Sequence, residues 1–385
     1  MSSTGGLQTL RVSLLCLALV VGLAAQDGDA AAPPEPEVAQ VSHYVVLWPD
    51  LFAEFDTTTD TIKRQMKFKH GVQHGVQILH DKKTALAITG QRGVIEVIDL
   101  AKLETVDEHP IQKDGWILRV RSITECPGGK KWWVLCERVE KKVDHFVIHE
   151  QAWFSYDLGN KELGESMKEL PEPIRRGARI SPDGTAWHVF DKDLVVLDAE
   201  TLKETGRIEL SKPLFTGMGA ITLQSQDFHE GRRSDAYRML WSMTDPVNTN
   251  RRLGGIIDLD MKSLRIARRE EWGVPSISSF GSYITADHKR AFGHGGVRRG
   301  FGGRGGTGGE SEVSLAAWDL TNGQRIAENT FKARTALGLS AITADGSKLY
   351  LTGRGHDVLV VSGELKPVRT LELPGEVSDF IEIRR

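Results

Sequence analysis

Six basic side chains have the residue types and positions in this chain that best suit ligand chemistry. They stand near the start of separate apolar segments and are His70, His74, Arg119, Arg175, Arg176 and Arg334. Arginine presents a planar fork of donors that fits carboxylate, sulfate or phosphate. If the fold gathers these segments, the side chains predict a site for an anionic ligand or for the acidic surface of a partner protein. The competing interpretation is that they are solvated cations balanced by nearby carboxylates.

Motifs for catalysis and metal binding are weak in comparison. His70 and His74 fall in a predicted strand. Side chains four residues apart there share a face but lie ~13 Å from each other, too far for one zinc ion. No serine lies in a G-x-S-x-G sequence. The sequence therefore indicates no metal site and leaves any cofactor unknown, although a general acid and base could still assemble from separate segments.

The elements that must position these side chains form a repeat that recurs seven times. Each unit has an apolar run, a variable loop, a second apolar run and then usually Asp with a short turn. The first runs begin at Tyr44, Ala85, Lys131, Ala186, Tyr237, Arg290 and Lys348. One unit cannot bury its apolar face alone, so neighbouring units must supply the missing core. Seven such units predict an all-β fold, a seven-bladed β-propeller, with the basic side chains at the mouth of its channel.

The Asp after the second run is predicted to form a turn and not a catalytic set. These residues are Asp56, Asp99, Asp157, Asp198, Asp260 and Asp319, with Ser362 in the last unit. An Asp carboxylate accepts backbone N–H bonds two residues further on, which fixes the turn into the next strand.

Each blade should hold four strands, a to d, from the channel to the rim. Strand a is predicted near His70, Trp116, Arg175, Phe215, Ile277 and Ala336, and the first unit has none. Residues 377–385 have no blade of their own. We therefore expect them to pair beside residues 44–48 and close the ring, which leaves no free sheet edge.

Residues 43–385 resemble the WD40-like and YVTN-type propeller repeat families. The segments SPDGTAWHVFDKDLVVLDAETL and TADGSKLYLTGRGHDVLVVSGELK are similar to the YVTN-type repeat in particular. Only Trp318-Asp319 carries the dipeptide of true WD40 repeats. The resemblance implies the fold and no single function, because such propellers include hydrolases, lactonases, redox enzymes and interaction scaffolds.

Long insertions predict which face of the propeller carries function. The connection between strands b and c is long at residues 137–151, 243–254 and 293–312, the last being rich in Gly and Arg. Strands alternate in direction, so all b–c loops should leave on the face that also holds the d–a connections. These loops carry further arginines, namely Arg92, Arg251, Arg252, Arg298, Arg299, Arg304 and Arg354. Loops on a rigid scaffold are common places for ligand sites.

The N-terminal segment predicts export. Residues 12–25 form an apolar run that ends in small residues, typical of a signal peptide covering residues 1–25. Residues 26–42, rich in Ala, Pro and acids, indicate a disordered spacer, and residues 43–385 the propeller. We expect a secreted or periplasmic protein with no membrane span beyond the signal segment.

Two cysteines remain after the expected cleavage, Cys126 and Cys136, on either side of a predicted hairpin turn. Pairing Cys126 with Lys131 places Cys136 opposite Arg121. The thiols would then be ~16 Å apart along the ladder, which excludes a disulfide between them.

The prediction from sequence is an exported, monomeric propeller that binds an anionic small molecule or a partner protein through its arginine-rich face. Lys and Arg number 49 and Asp and Glu 52, so the charge is balanced and nucleic acid is not an expected partner. The alternative is a hydrolase- or lactonase-like enzyme with a site at the channel mouth built from His70, His74, Arg119, Arg175 and Arg334.

Overall fold

The computed structural model describes residues 41–79, 81–126, 128–167, 178–181, 183–190, 192–213, 215–224, 236–249, 251–271, 282–294, 311–333, 337–353 and 355–384. The expected signal peptide and the spacer up to residue 40 lie outside them. The first strand begins at Val41, two residues before the expected start of the domain. Within the described ranges, no helix has the length and hydropathy needed to span a bilayer.

The first fourteen strands are β1 (Val41–Trp48), β2 (Leu51–Asp56), β3 (Thr61–Lys67), β4 (Val76–Ile78), β5 (Thr84–Thr89), β6 (Val94–Asp99), β7 (Glu104–Pro110), β8 (Trp116–Glu125), β9 (Lys131–Lys141), β10 (Phe146–Asp157), β11 (Glu162–Met167), β12 (Ala178–Ile180), β13 (Ala186–Phe190) and β14 (Leu194–Asp198). The others are β15 (Glu204–Ile208), β16 (Thr222–Gln224), β17 (Ala236–Thr244), β18 (Arg252–Asp260), β19 (Arg265–Glu271), β20 (Ser282–Ile284), β21 (Arg290–His294), β22 (Ser311–Asp319), β23 (Arg325–Ala333), β24 (Gly338–Ile342), β25 (Lys348–Thr352), β26 (Asp357–Ser362), β27 (Pro367–Glu372) and β28 (Glu376–Arg384). One 3-10 turn, Gly90–Arg92, lies between β5 and β6.

The described strands form seven four-stranded antiparallel sheets, so the chain is all-β as predicted. Six sheets contain four consecutive strands, beginning with β4, β8, β12, β16, β20 and β24. The first sheet has the order β28-β1-β2-β3. Val41 lies opposite Arg384, and Trp48 lies opposite Glu376. The C-terminal strand therefore takes the edge position that the first unit lacks, which confirms the expected pairing.

Both apolar runs of every unit are strands, whereas several predicted a-strands are shorter than expected. The stretch from His70 becomes a strand only at Val76, and the stretch from Phe215 only at Thr222. The prediction that His70 and His74 share a strand face is therefore wrong. Both stretches contain glycines with positive φ, such as Gly71 at 77° and Gly217 at 80°. Glycine favours irregular backbone because it reaches conformations that a strand does not use.

Apolar clusters join all consecutive sheets but the fifth and sixth, as far as the described residues go. One cluster joins β1 and β2 to β5 and β6 through Tyr44, Phe52 and Ile98. Comparable clusters join the second to the third, the third to the fourth, the fourth to the fifth and the sixth to the seventh sheet. A further cluster packs the seventh sheet on the first, where Phe55 and Tyr350 approach edge-on with ring centroids 5.4 Å apart.

The turn role of the repeated Asp residues is confirmed. Each carboxylate accepts the backbone N–H two residues further on, for example Thr58 N to Asp56 at 2.8 Å and Gly159 N to Asp157 at 2.9 Å. Asp99, Asp198, Asp260 and Asp319 make the same bond. The Ser362 hydroxyl accepts the N–H of Lys366 at 3.3 Å. These groups hold turns and are not free for chemistry.

The predicted loop over residues 137–151 is instead a long hairpin. β9 and β10 have eleven and twelve residues and turn at residues 142–145, where Lys142 N donates to His145 O at 2.9 Å. Charged residues in this segment resemble a loop in composition, but Val139 and the apolar run of Phe146, Val147 and Ile148 are residue types typical of strands. The second expected long loop shortens to residues 245–251, because β17 and β18 extend to Thr244 and from Arg252. The third, residues 293–312, lies mostly outside the described residues.

Both remaining cysteines are free. Cys126 N donates to Lys131 O as the hairpin register predicted. Cys136, however, lies opposite Val120 and not Arg121, because a bulge at Arg121 shifts the pairing by one residue. Burial raises the pKa of each thiol to about 12.

We expect both thiols to stay unbridged in the mature protein and to react slowly while it is folded, because the reactive thiolate is scarce at neutral pH. Alkylation in non-reducing denaturant should label both, as mass spectrometry can measure. A denatured protein two mass units lighter and without label would contradict the expectation. Native labelling as fast as that of a free peptide thiol would contradict the burial.

Candidate functional site

A basic cluster joins the second and third sheets. His74 lies exposed in the connection before β4, where its backbone N–H donates to Ile88 O at 2.8 Å. Partial burial of the ring, followed by the positive charges of Arg92 and Arg121, lowers the pKa of His74. The positive charges of both guanidinium groups thus act on the imidazole. We call His74, Arg92 and Arg121 the basic cluster.

Arg92 is placed by the 3-10 turn between β5 and β6. Gly90, Gln91 and Arg92 have φ angles of 56°, 55° and 71°, so three successive residues adopt the left-handed conformation. Such a backbone is strained for Gln and Arg and persists only when the surroundings hold it. A Cβ at position 90 would lie 2.9 Å from Val94 Cγ2, and Gly90 N donates to His70 O at 3.2 Å. Glycine at position 90 thus lets the turn approach the connection that carries His74.

Arg121 is placed by the bulge in β8. Val120 pairs with Cys136 and Ser122 with Leu135, which leaves Arg121 as the extra residue. A bulge bends the strand and redirects the side chain that it carries. The Arg121 guanidinium forms an ion pair with Glu137 on β9, and both side chains are partly exposed.

A buried carboxylate anchors the connection that carries His74. Glu96 on β6 is fully buried. Its oxygens accept Lys69 N at 3.0 Å, His70 N at 2.9 Å, Thr89 Oγ1 at 2.9 Å and Thr105 Oγ1 at 2.8 Å. Four donors satisfy the carboxylate and fix the start of the connection, so Glu96 supports the site and does not contact its open side.

The six predicted site residues do not all come together in one site. His74 belongs to the basic cluster. The ring of His70 instead has its Nε2 2.6 Å from Glu108 Oε2. Glu108 lies on β7, at the opposite edge of the second sheet from β4. Arg119 is exposed on β8 opposite Glu137, two residues before Arg121. Arg175, Arg176 and Arg334 lie outside the described residues.

The sequence predicted Arg92 as one of the loop arginines but did not single out Arg121 as a site residue. Alternation along β8 was an available signal, because Arg119 and Arg121 are two residues apart and share one face of a regular strand. The bulge that makes Arg121 the extra residue of β8 leaves no mark in the sequence.

A carboxyl group also stands on an edge strand. Asp379 on β28 has an exposed side chain, yet burial by the surrounding protein raises its pKa. Its neighbour Ser378 is the extra residue of a bulge opposite Val46 and Leu47. The Ser378 hydroxyl accepts a bond from Gln73 Nε2 at 2.8 Å.

No group of three or more His, Cys, Asp or Glu side chains within the described residues could hold a metal ion. The arginine and histidine side chains of the basic cluster are of the types that bind anions, through hydrogen bonds and opposite charge.

Comparison with known proteins gives structural likenesses only. No family model and no curated protein matches the chain. A functionally unknown protein from Desulfotomaculum acetoxidans has 12% identity, covers 89% of this chain and 98% of its own, and has a TM-score of 0.48. AztD from Citrobacter koseri has 10% identity, with 90% and 98% coverage and a TM-score of 0.43. BamB from Moraxella catarrhalis has 13% identity, with 87% and 86% coverage and a TM-score of 0.40.

Proposed function

We propose that the seven sheets are the blades of a β-propeller that β28 closes into a ring. Support comes from the pairing of β28 with β1 and from the apolar clusters that link most consecutive sheets, including the seventh with the first. In this arrangement β4, β8 and β28 are the innermost strands of their blades, and the basic cluster lies at one mouth of the channel.

We propose further that the protein is an exported binding module whose basic cluster holds an anionic small molecule or an acidic surface of a partner protein. The observation that carries this proposal is that both charges acting on His74 are positive. Glu137 balances only one of the two arginines, Arg121, so a bound carboxylate or phosphate would offset the positive charge that remains around His74. The strained turn that presents Arg92 is the kind of backbone that clusters at ligand sites.

Replacing Arg92 and Arg121 together with Gln should weaken the binding of citrate and of a fluorescent hexaglutamate peptide on the order of tenfold or more. The loss should shrink between 50 mM and 500 mM salt, because exposed charges are screened. Titration calorimetry can measure the affinity for citrate, and fluorescence anisotropy the affinity for the peptide. Arg175→Ala and Arg176→Ala test whether that pair contributes as well.

The matched control is Arg325→Gln, on the outer strand β23 of the sixth sheet, which should leave both affinities unchanged. Equal weakening by the control variant would reject the anion site while the fold stands. So would an affinity that does not change with salt or with substitution of the cluster.

The affinity for the anion should also increase as the pH falls through the lowered pKa of His74, because the imidazole then gains its positive charge.

Asp379 favours the second candidate, a hydrolase- or lactonase-like enzyme with a site at the channel mouth. A carboxyl group with a raised pKa suits a general acid or base. Turnover of a lactone or a p-nitrophenyl ester that Asp379→Asn removes and Asp357→Asn keeps would favour the enzyme over the binding module.

A further inference from the structure

Two buried histidines lie where consecutive sheets meet. His43 on β1 is 3% exposed, and its Nε2 lies 2.8 Å from Ile342 O on β24 of the seventh sheet. His109 on β7 is also 3% exposed, and its Nδ1 lies 3.3 Å from the Tyr156 hydroxyl on β10 of the third sheet. One histidine therefore bridges the first and seventh sheets, and the other bridges the second and third.

The partner of each Nε2 atom fixes the tautomer of the neutral ring. A carbonyl oxygen can only accept, so His43 Nε2 carries the hydrogen that Ile342 O receives. His109 Nε2 lies 3.3 Å from Asp107 Oδ2, and the bond from Lys161 lowers the pKa of Asp107 and keeps it ionised. Neutral His109 thus donates at Nε2 and accepts the Tyr156 hydrogen at Nδ1.

Aromatic side chains pack against both imidazole rings. The His43 ring meets the Phe380 ring edge-on with centroids 6.1 Å apart. The His109 ring lies 4.9 Å from the Trp132 ring and 5.4 Å from the Tyr156 ring, centroid to centroid. Burial of this kind disfavours a charged imidazole, because it removes the water that would solvate the charge.

Burial is the largest effect on His43 and lowers its pKa. Glu382, directly opposite on β28, raises the pKa of His43, and Arg384 lowers it. The carboxylate pairs with this same guanidinium at 2.8 Å, so the two charges oppose each other at the imidazole. The bond to Ile342 O also raises the pKa, but the net direction is downward.

Burial is likewise the largest effect on His109 and lowers its pKa. Asp107 on the same strand raises the pKa of His109, and Lys161 after β10 lowers it. These two charges pair with each other and therefore also act in opposition. Tyr156, whose pKa is raised by burial to about 12, stays a neutral hydroxyl.

A proton added to either ring conflicts with the contact between the sheets. On His109 it would occupy Nδ1, which would then no longer accept the Tyr156 hydrogen. On His43 it would place a positive charge in the core between the first and seventh sheets. The unfolded chain solvates a charged imidazole with water, so protons favour the unfolded state.

We propose that His43 and His109 make the joining of the sheets acid-sensitive, because protonation of these rings weakens the interface between the seventh and first sheets and the interface between the second and third. The basic cluster spans the second of these interfaces, with Arg92 between β5 and β6 and Arg121 on β8. The effect belongs to the protein without ligand and does not depend on the anion site.

A lowered pKa sets both the direction and the pH range of the effect. A histidine whose pKa is lower in the folded state contributes its full stability above its unfolded pKa of about 6.5. That contribution is lost as the pH falls from there through the folded pKa. Between pH 7.5 and pH 5.5 each histidine should raise the equilibrium constant of unfolding by up to about tenfold, and both together by up to about a hundredfold.

Neutral replacements that keep the hydrogen bonds test the proposal. His43→Gln keeps an N–H donor for Ile342 O, and His109→Asn keeps an acceptor for the Tyr156 hydroxyl. Urea unfolding of the ligand-free protein at pH 7.5 and pH 5.5 measures the equilibrium constants. Each variant should lose up to about tenfold of the pH dependence, and the double variant should lose both contributions.

His145→Gln is the matched control, because its side chain is 60% exposed at the turn between β9 and β10. It should leave the pH dependence of unfolding unchanged. Magnetic resonance of the native protein with ¹³C-labelled histidine needs no variant. The His43 and His109 signals, assigned through their contacts with the Phe380 and Trp132 rings, should titrate below pH 6.5.

Three results would overturn the proposal. The first is an equal pH dependence of unfolding in the native protein and the double variant. The second is a control variant that loses as much of the pH dependence as the two buried replacements. The third is a pair of His43 and His109 signals that titrate at pH 6.5 or above, which would show that the folded protein accepts these protons without cost.

Discussion

Removal of residues 376–385 is expected to abolish cooperative melting of the protein or to lower its melting temperature by more than about 10 °C. β28 buries Val377, Phe380 and Ile383. Each buried apolar side chain stabilises by about 2 kcal/mol, so the three together approach the whole free energy of unfolding of a typical domain. The deletion also exposes β1 as an open edge on the first sheet.

The contacts of Phe380 show why the loss should spread beyond the first sheet. Its ring stacks on Tyr350 of the seventh sheet with centroids 5.5 Å apart and meets Phe55 edge-on at 5.4 Å. His43, on the strand beside β28, contacts Ile342 O at 2.8 Å through Nε2. Without β28 the first and seventh sheets lose a shared core.

Calorimetry and circular dichroism can measure the effect, and a synthetic peptide of residues 375–385 provides the control. Added in excess, the peptide should restore much of the melting temperature, because binding to the folded state stabilises by mass action. A truncated protein that melts like the full chain would contradict the role given to β28. So would a peptide that restores nothing to a truncated protein that still folds.

The sequence predicted the elements best where local pattern and burial agree. Apolar runs around Val45 and Val195 became strands, and the Asp after six of the second runs became a turn. The prediction failed where tertiary packing decides. The charged segment after Glu137 is a strand because it pairs on both sides, and Gly71 and Gly217 break strands that the apolar pattern alone predicts.

The candidate site was only partly predictable for the same reason. His74 was found from its position before a repeat unit. Arg92 depends on a left-handed turn and Arg121 on a bulge, and neither backbone feature follows from residue types.

A buried carboxylate links the first and last repeat units, and its replacement is the second change expected to destabilise the protein strongly. Asp60 follows β2, and its side chain is almost completely buried. It accepts Tyr350 OH at 2.6 Å and Lys348 Nζ at 3.0 Å, and it also pairs with Arg369. Lys348 further donates to Thr57 O at 2.7 Å. The three donors all come from the seventh sheet, so the carboxylate ties that sheet to the turn after β2.

Asp60→Asn should destabilise the protein by about 3 kcal/mol, because it keeps the size of the side chain but leaves two cations without their shared anion. Asparagine also tolerates the left-handed conformation of this position, with φ at 57°, so backbone strain does not confuse the result. Asp56→Asn is the matched control in the same turn. Its exposed oxygen can still accept Thr58 N, and the cost should stay below about 1 kcal/mol.

The effect of Asp60 should depend on pH in a defined direction. Burial opposes its charge, but the bonds from Tyr350, Arg369 and Lys348 outweigh that cost and lower its pKa. A carboxyl group with a lower pKa in the folded state stabilises fully above its unfolded pKa of about 3.9 and loses that contribution as the pH falls further. The difference in melting temperature between the native protein and Asp60→Asn should therefore be full at pH 7 and shrink below about pH 4. An equal difference at pH 7 and pH 3 would show that the Asp60 charge does not hold the two sheets together.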